Sequence, residues 1–126
     1  MKIISTKEAP AAIGPYSQGI TTGNMVFCSG QLGVIPETGD FAGSSIEEQT
    51  TQIFKNMEAV LLAAGSSLSR VVKTTVFLSS MNDFSAMNEI YKNNFGSHKP
   101  ARSTVEAAAL PKNGLVEIEC IALCSE

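Results

Sequence analysis

Arg102 and two glutamates near the end of the chain are the residues whose types and spacing best fit chemistry on a small acid. The chain has only two arginines, Arg70 and Arg102, and Arg102 opens a strand-like segment. Glu117 and Glu119 lie in a second strand-like segment, residues 116–121. A guanidinium binds a carboxylate through two parallel hydrogen bonds, and a nearby glutamate holds or activates a water. The pair therefore predicts a pocket that binds a small acid and hydrolyses it.

Alternation along the two segments predicts which side chains share a face. Arg102, Thr104 and Glu106 point to one side of the first strand, and Glu117 and Glu119 share a side of the second. Because two strands joined by a short turn usually pair, Arg102 and one of the glutamates are expected in one cleft. The alternative interpretation is a cross-strand salt bridge on a solvent-exposed face of the sheet, which contributes only about 0.2–1 kcal/mol to folding stability. Residue types alone do not choose between the two glutamates.

One polar turn and one aromatic side chain are candidates for the walls of such a pocket. In the turn Ser29-Gly30-Gln31 the glycine permits close backbone approach to a ligand, with N–H groups aimed at an anion. Tyr16 lies in a proline-containing loop, where it is placed to wall a small pocket. The alternatives are an ordinary turn at a strand end and a tyrosine that packs with its hydroxyl at the surface.

The histidine and the cysteines form no catalytic or metal-binding pattern. His98 is the only histidine, and its place after a helix end favours a surface loop residue. Cys28, Cys120 and Cys124 are interpreted as free thiols, with Cys28 in the core. Cys120 and Cys124 are four residues apart in a strand, about 13 Å, too far for one shared zinc ion. The sequence has no phosphate-binding glycine loop and no zinc motif, so neither a cofactor nor a metal is expected.

Composition favours a small globular protein. The chain of 126 residues fits one domain, residues 1–126, with 44% hydrophobic and 17% charged residues. A net charge of −3 gives no support to nucleic-acid binding. The longest apolar run, residues 59–64, is far shorter than a membrane span. Free thiols and a start without a secretory apolar segment indicate a soluble, cytoplasmic protein with no membrane partner.

The elements that position these residues are predicted to be one sheet and two helices. Helices are predicted at residues 45–65, with a capping box from Ser45 to Glu48, and at about 83–94, with Asn82 as N-cap. Two helices cover only one face of such a sheet. Apolar residues on both faces of the strands then predict that the other face meets another copy, in a homo-oligomer. The predicted strands are residues 2–5, 18–22, 25–29, 71–79, 102–110 and 115–124.

Six segments of the chain resemble one known family. They are residues 9–19, 29–31, 72–78, 81–84, 100–103 and 117–119, so the similarity runs nearly from end to end. On these segments the chain resembles the RidA (YjgF-like) family of enamine/imine deaminases. Many ordered matches are far more specific than any single motif, and they disfavour the salt-bridge interpretation of Arg102.

The resemblance implies a fold, an assembly and a reaction. The fold is the chorismate-mutase-like (RidA-like) α+β fold, a single sheet with two helices packed on one face. Three copies assemble as a homotrimer with a ligand cleft at each subunit interface. The reaction is that of a 2-iminobutanoate/2-iminopropanoate deaminase. Reactive enamines and imines released by PLP-dependent dehydratases are hydrolysed to 2-keto acids and ammonia.

The resemblance also implies roles for individual residues. Arg102 binds the substrate carboxylate and Glu117 positions a water, which selects Glu117 over Glu119. Thr104 stands where many deaminating members have cysteine. The main alternative is a regulatory protein that binds small 2-keto acids without turnover; ribonuclease activity is disfavoured by the acidic composition. The positions that line the pocket by resemblance are Tyr16, Ser29, Gly30, Gln31, Asn88, Arg102 and Thr104.

Overall fold

The protein forms one mixed β-sheet flanked by two α-helices in a computed structural model that describes residues 1–124. Residues 125 and 126, which the predicted domain includes, lie outside the described part. The strands are Lys2–Ile4 (β1), Gly19–Thr22 (β2), Met25–Gln31 (β3), Val71–Leu78 (β4), Ala101–Glu106 (β5) and Val116–Leu123 (β6). Their order in space is β1-β2-β3-β6-β4-β5, and only the β4–β5 pair is parallel.

Helix α1, Ile46–Ala63, begins and ends close to where the sequence predicts. Ser45 is the N-cap: its hydroxyl accepts a hydrogen bond from the Glu48 amide at 3.1 Å, and the Glu48 carboxylate accepts one from the Ser45 amide at 3.3 Å. These bonds satisfy two donors that a helix start leaves open. Gly65 follows with a φ of +75°, which glycine adopts without steric cost. The predicted helix and its capping box are confirmed.

Helix α2, Phe84–Phe95, is confirmed, but its predicted N-cap is wrong. Residues Met81–Asp83 form a 3-10 turn, in which the Ser80 hydroxyl accepts a hydrogen bond from the Asn82 amide at 3.2 Å. Asn82 therefore belongs to this turn, and Asp83 occupies the N-cap position. A single 3-10 turn leaves no hydrophobic period in the sequence, so the pattern could not separate it from the helix.

Both helices pack on the same face of the sheet, where the hydrophobic core lies. Phe54 of α1 meets Tyr91 and Phe95 of α2 edge-on, with ring centroids 5.7 and 5.4 Å apart. The predicted α+β architecture, with two helices on one face of a single sheet, is confirmed. Within residues 1–124, neither helix is long and apolar enough to cross a membrane. The fully buried strand residues beneath the helices include Val26, Val76, Leu78, Val116 and Ile118.

The last two strands do not pair with each other, which corrects the predicted hairpin. Strand β4 lies between them, parallel to β5 and antiparallel to β6. The connection, residues 107–115, passes around the end of β4: the Ala107 amide donates to the Leu78 carbonyl at 2.8 Å, and the Ser79 amide donates to the Leu115 carbonyl at 3.0 Å. Strand β5 also ends at Glu106 rather than at residue 110, which leaves the connection long enough to cross over.

The face of the sheet opposite the helices carries apolar side chains that no other part of residues 1–124 covers. Ile3, Phe27 and Val105 are 68%, 43% and 45% exposed. Their neighbours in the strand registers, Phe77 and Ile121, are partly exposed on the same face. We call this surface the open face. A contiguous apolar surface of this kind is typical of an interaction site.

Candidate functional site

Arg102 lies on the helix-covered face of β5 and is held there by helix α2. Its register partner in β4 is the buried Thr74, whose hydroxyl bonds the Tyr91 hydroxyl at 2.7 Å. The Arg102 guanidinium donates to the Asn88 side-chain oxygen at 2.7 Å and lies 4.6 Å from the Tyr91 ring centroid and 5.5 Å from that of Phe84. One hydrogen bond and two aromatic faces orient the guanidinium, and its other N–H groups are available to a carboxylate.

Tyr91 supports Arg102 as a neutral phenol. Burial raises the pKa of Tyr91 above its ordinary value, against the opposing effects of the Thr74 hydrogen bond and the Arg102 charge. The phenol therefore stays protonated at neutral pH. Its ring serves as the platform of the guanidinium, and its hydroxyl is fixed to the sheet through Thr74.

Thr104 lies two residues after Arg102, on the same face of β5. Its hydroxyl oxygen is buried and has no hydrogen-bond partner among residues 1–124. A buried polar atom left unpaired costs stability unless a partner arrives from elsewhere. Thr104 is therefore the residue of this face of β5 whose hydroxyl lacks a partner in the described part of the chain. We refer to Asn88, Tyr91, Arg102 and Thr104 as the arginine half-site.

A cavity of about 440 Å³ opens beside Arg102, between α2 and the loop that precedes β5. His98 lines it and is half-buried, not the surface loop residue that the sequence suggested. Its Nε2 donates to the Val71 carbonyl at 2.6 Å, and its ring packs edge-on against Phe95. These two contacts fix the cavity rim to the start of β4. We call this cavity the arginine pocket.

Glu117 lies on the open face of β6, opposite Phe77 of β4. The residues on either side of it, Val116 and Ile118, are fully buried on the helix-covered face. A β-bulge in β3 places Gly30 against the Glu117 carboxylate, because the register shifts between Cys28 and Gln31. A Cβ at position 30 would lie 2.8 Å from the Glu117 carboxyl carbon, so only glycine fits without displacing that side chain.

The environment of Glu117 favours its protonated form more than usual. Burial raises the pKa of Glu117, and the negative charge of Glu119 on the same face raises it further. A carboxylate with a raised pKa is a stronger base than a free glutamate, so it accepts a proton from an attacking water more readily.

Ser29 lies in β3 next to Gly30 and holds the loop that carries Tyr16, residues 5–18. The Ser29 hydroxyl donates to the Ser17 carbonyl at 2.5 Å, and its amide donates to the Gln18 carbonyl at 3.0 Å. The Ser29 hydroxyl therefore fixes the loop, in which Tyr16 is 55% exposed. We refer to Ser29, Gly30 and Glu117 as the glutamate half-site.

Gln18 is a positioning residue that sequence reasoning missed. It is 4% exposed, and its side chain bonds the backbone of Thr6, Ala9 and Pro10. It thereby ties the start of the loop that carries Tyr16 to β2. The sequence contained one signal for this role: Gln18 is a polar residue at the start of a strand, next to a loop. The backbone groups of a loop lack the regular hydrogen bonds of a helix or sheet and need other partners. Gln31, by contrast, is buried, pairs with Ile118 and belongs to the helix-covered face.

The two half-sites lie on opposite faces of the sheet. The arginine half-site is on the helix-covered face of β5, the glutamate half-site is on the open face of β6, and β4 separates the two strands. The expectation that Arg102 and Glu117 share a cleft within one chain is therefore wrong. Alternation correctly predicted which side chains share a face within β5 and within β6. The predicted common cleft also required β5 and β6 to pair with each other, and they do not.

Two of the cysteines face each other in the core. Cys28 of β3 and Cys120 of β6 are register partners, both buried and both free. The hydrogen bond between the two thiols, and then burial, raise the pKa of Cys120 strongly. Cys120 therefore stays a thiol, and the two side chains pack as apolar core, as expected for Cys28. Among residues 1–124, no three metal-binding side chains converge.

Substituting Gly30 by alanine is expected to lower kcat/KM about 10–100-fold, because the new Cβ displaces the Glu117 carboxylate by about an ångström. Steady-state kinetics of the purified variant measure the effect. In a Glu117→Ala background the added Cβ has room, so Gly30→Ala should then cost no further activity. An equal loss in both backgrounds would contradict this role of Gly30.

Substituting Glu119 by glutamine is expected to move the acidic limb of the pH–rate profile to lower pH. In this prediction the ionised Glu117 is the general base, whose pKa the charge of Glu119 raises. Removing this like charge therefore lowers the pKa of Glu117. The measurement is kcat/KM against pH. An acidic limb that stays in place, or that moves to higher pH, would contradict the assignment. Burial still raises the pKa of Glu117 in the variant.

Comparison with known proteins places this fold and site in one family. A model of the family described as endoribonuclease L-PSP matches residues 6–124. The chain belongs to this family, the YjgF/RidA family whose segments its sequence carries. The crystal structure of E. coli TdcF with bound serine superposes with a TM-score of 0.94 at 45% identity, over 99% of this chain and 100% of that one.

Two curated relatives carry names that describe a reaction. The chloroplastic Reactive Intermediate Deaminase A of Arabidopsis thaliana is 54% identical over 96% of this chain, which spans 65% of the length of that relative. The 2-iminobutanoate/2-iminopropanoate deaminase of Homo sapiens is 46% identical over 97% of this chain and 89% of its own length.

Proposed function

We propose that this protein is an enamine/imine deaminase that hydrolyses 2-imino acids, such as 2-iminobutanoate and 2-iminopropanoate, to 2-keto acids and ammonia. The observation that carries the proposal is Arg102, oriented by Asn88 and Tyr91 with donors left for a carboxylate. The names of the Arabidopsis and human relatives support the reaction. PLP-dependent dehydratases in the cytoplasm are the proposed source of the imines.

The reaction needs orientation more than it needs a nucleophilic side chain. The C=N carbon of a protonated 2-imino acid is already electrophilic. Arg102 fixes the carboxylate, and Glu117 accepts a proton from the water as its oxygen bonds to that carbon. Glu117 then passes this proton to the nitrogen. The C–N bond breaks, ammonia leaves, and the new hydroxyl gives its proton to Glu117 as its oxygen becomes the keto oxygen. Holding water and substrate in this geometry lowers the barrier by several kcal/mol, roughly 7 or more in well-oriented systems.

We propose further that the complete site lies between subunits of a homotrimer. Arg102 and Glu117 lie on opposite faces of one chain, so one pocket needs the arginine half-site of one copy and the glutamate half-site of the next. Two different surfaces that meet in this way form a heterologous contact, and three copies close into a ring when each is rotated by about a third of a turn. The open face, with Phe27 and Val105 exposed, supplies apolar area for that contact.

Thr104 has a role of its own in this proposal. In many deaminating relatives a cysteine stands at this position, and here the hydroxyl is buried without a partner among residues 1–124. It bonds the substrate carboxylate or the imine nitrogen beside Arg102. A threonine hydroxyl is a better hydrogen-bond donor than a thiol, so the substitution is compatible with turnover.

The direct test is imine hydrolysis. An amino-acid oxidase generates 2-iminobutanoate, and its decay is followed as semicarbazone formation with and without the protein. The expected result is faster loss of the imine with wild type, and at least tenfold less acceleration with Glu117→Gln, which keeps the shape and removes the base. Wild type that leaves the decay unchanged would refute the proposal.

A binding protein without turnover is the second candidate. The observation that favours it is the solved relative TdcF, which was crystallised with bound serine. Arg102 would hold a ligand carboxylate in the same way. The same assay separates the candidates, because a binding protein would bind 2-ketobutanoate and leave the imine untouched.

A further inference from the structure

The arginine pocket carries more positive charge than one carboxylate requires. Lys92 of α2 and Lys99 of the loop between α2 and β5 line it together with Arg102. These are three of the nine lysines and arginines in a chain whose net charge is −3. No aspartate or glutamate among residues 1–124 lines the pocket. Its charge therefore differs in sign from that of the protein as a whole.

The two lysines have no ion-pair partner in the part of the chain that the structure describes. Both are exposed, and neither forms an ion pair with any of residues 1–124. Arg102, by contrast, is held by Asn88 and by two aromatic rings. One cation is thus fixed for a first carboxylate, and two flexible cations remain at the rim.

The rim that presents these lysines is anchored, so the charge is held at the pocket. His98 is next to Lys99 and bonds the Val71 carbonyl at 2.6 Å, which fixes the loop to β4. Lys92 projects from α2 one residue after Tyr91, the platform of Arg102. The cavity of about 440 Å³ is large enough for a small dicarboxylic acid.

We propose that the pocket selects 2-imino acids with a second carboxylate, that is, imines derived from acidic amino acids. Arg102 binds the carboxylate next to the imine, and Lys92 and Lys99 bind the one on the side chain. The hydrolysis is otherwise unchanged: water adds to the C=N carbon, the C–N bond breaks and ammonia leaves. This inference rests on the proposed deaminase function and names the substrate class of the same site.

The test compares two imines on three forms of the protein. D-Aspartate oxidase makes 2-iminoglutarate from D-glutamate, and D-amino-acid oxidase makes 2-iminobutanoate from D-2-aminobutyrate. The quantity measured is the ratio of kcat/KM for the acidic imine to that for the neutral imine. The ratio is expected to fall about tenfold in Lys92→Gln/Lys99→Gln, as two charge-assisted contacts are lost. The control Lys55→Gln/Lys112→Gln removes the same charge away from the pocket and should keep the wild-type ratio.

A binding measurement separates this inference from the proposed function. Calorimetric titration with 2-ketoglutarate and with 2-ketobutanoate needs no turnover. Wild type that prefers 2-ketoglutarate, with the preference lost in Lys92→Gln/Lys99→Gln, supports the inference even if no imine is hydrolysed. An equal fall of the ratio in both double variants would overturn it, since general charge attraction would then explain the preference. Turnover of 2-iminobutanoate without any preference for the acidic imine would overturn it and leave the deaminase function standing.

Discussion

Arg102→Ala is expected to reduce kcat/KM for 2-iminobutanoate about 10²–10³-fold, since it removes the charge-assisted contacts that hold the substrate carboxylate. The protein should stay folded. Arg102 is partly exposed on an edge strand, and its contacts with Asn88 and Tyr91 contribute only about 1 kcal/mol to stability. Steady-state kinetics and thermal unfolding of the same preparation measure the two effects.

The matched variant is Arg102→Lys. A lysine keeps the charge, but it lacks the planar fork and cannot bond Asn88 and a carboxylate in the same geometry. Its activity should therefore fall between those of Arg102→Ala and wild type. Full activity in a folded Arg102→Ala protein would remove Arg102 from the site and the deaminase mechanism with it.

Mixing two inactive variants is expected to restore activity. In trimers formed at random from equal amounts of Arg102→Ala and Glu117→Ala chains, a pocket is complete when one copy supplies Arg102 and the next supplies Glu117. Every hybrid trimer has that combination at one of its three pockets, so the purified hybrids should reach roughly a third of the wild-type rate. The chains are co-expressed with different tags, and the hybrid trimers are purified through both tags.

A second pair of variants serves as the control for that experiment. Asn88 and Arg102 belong to the same half-site, so a mixture of Asn88→Ala and Arg102→Ala chains has no complete pocket and should gain nothing. If Arg102→Ala and Glu117→Ala mixtures also gained nothing while forming hybrid trimers, the site between subunits would be refuted. Sedimentation of wild type as a monomer at micromolar concentration would refute the trimer itself.

Local patterns in the sequence predicted the elements and the face on which each side chain lies. The Ser45 capping box and the helical spacing of apolar residues predicted α1. The alternation of side chains along a strand predicted that Arg102 and Thr104 lie on one side of β5. These features depend on neighbouring residues only, so a single sequence contains them. The resemblance to the family selected Glu117 over Glu119. In the structure the Glu117 carboxylate packs against Gly30, another residue that the resemblance places in the pocket.

Features that depend on distant parts of the chain could not be predicted in this way. The order of the strands depends on whether residues 107–115 turn back or cross β4, and residue types do not decide that. The support of Arg102 by Tyr91 joins a helix to a strand, and the anchoring of the 6–10 loop by Gln18 joins two segments without periodicity. Such contacts are set by tertiary packing and leave no local signal.

The position of β6 bears on how the chain is made. It follows every other strand in the sequence, yet it lies near the middle of the sheet, between β3 and β4. While the ribosome is still synthesising residues 116–123, the nascent chain holds two separate groups of strands, β1–β3 and β4–β5, with an unpaired edge on each. The groups become one sheet only when β6 emerges and pairs with both. The sheet is therefore completed only after residues 116–123 have been made, and until then those edges are open to chaperones or to pairing with other nascent chains.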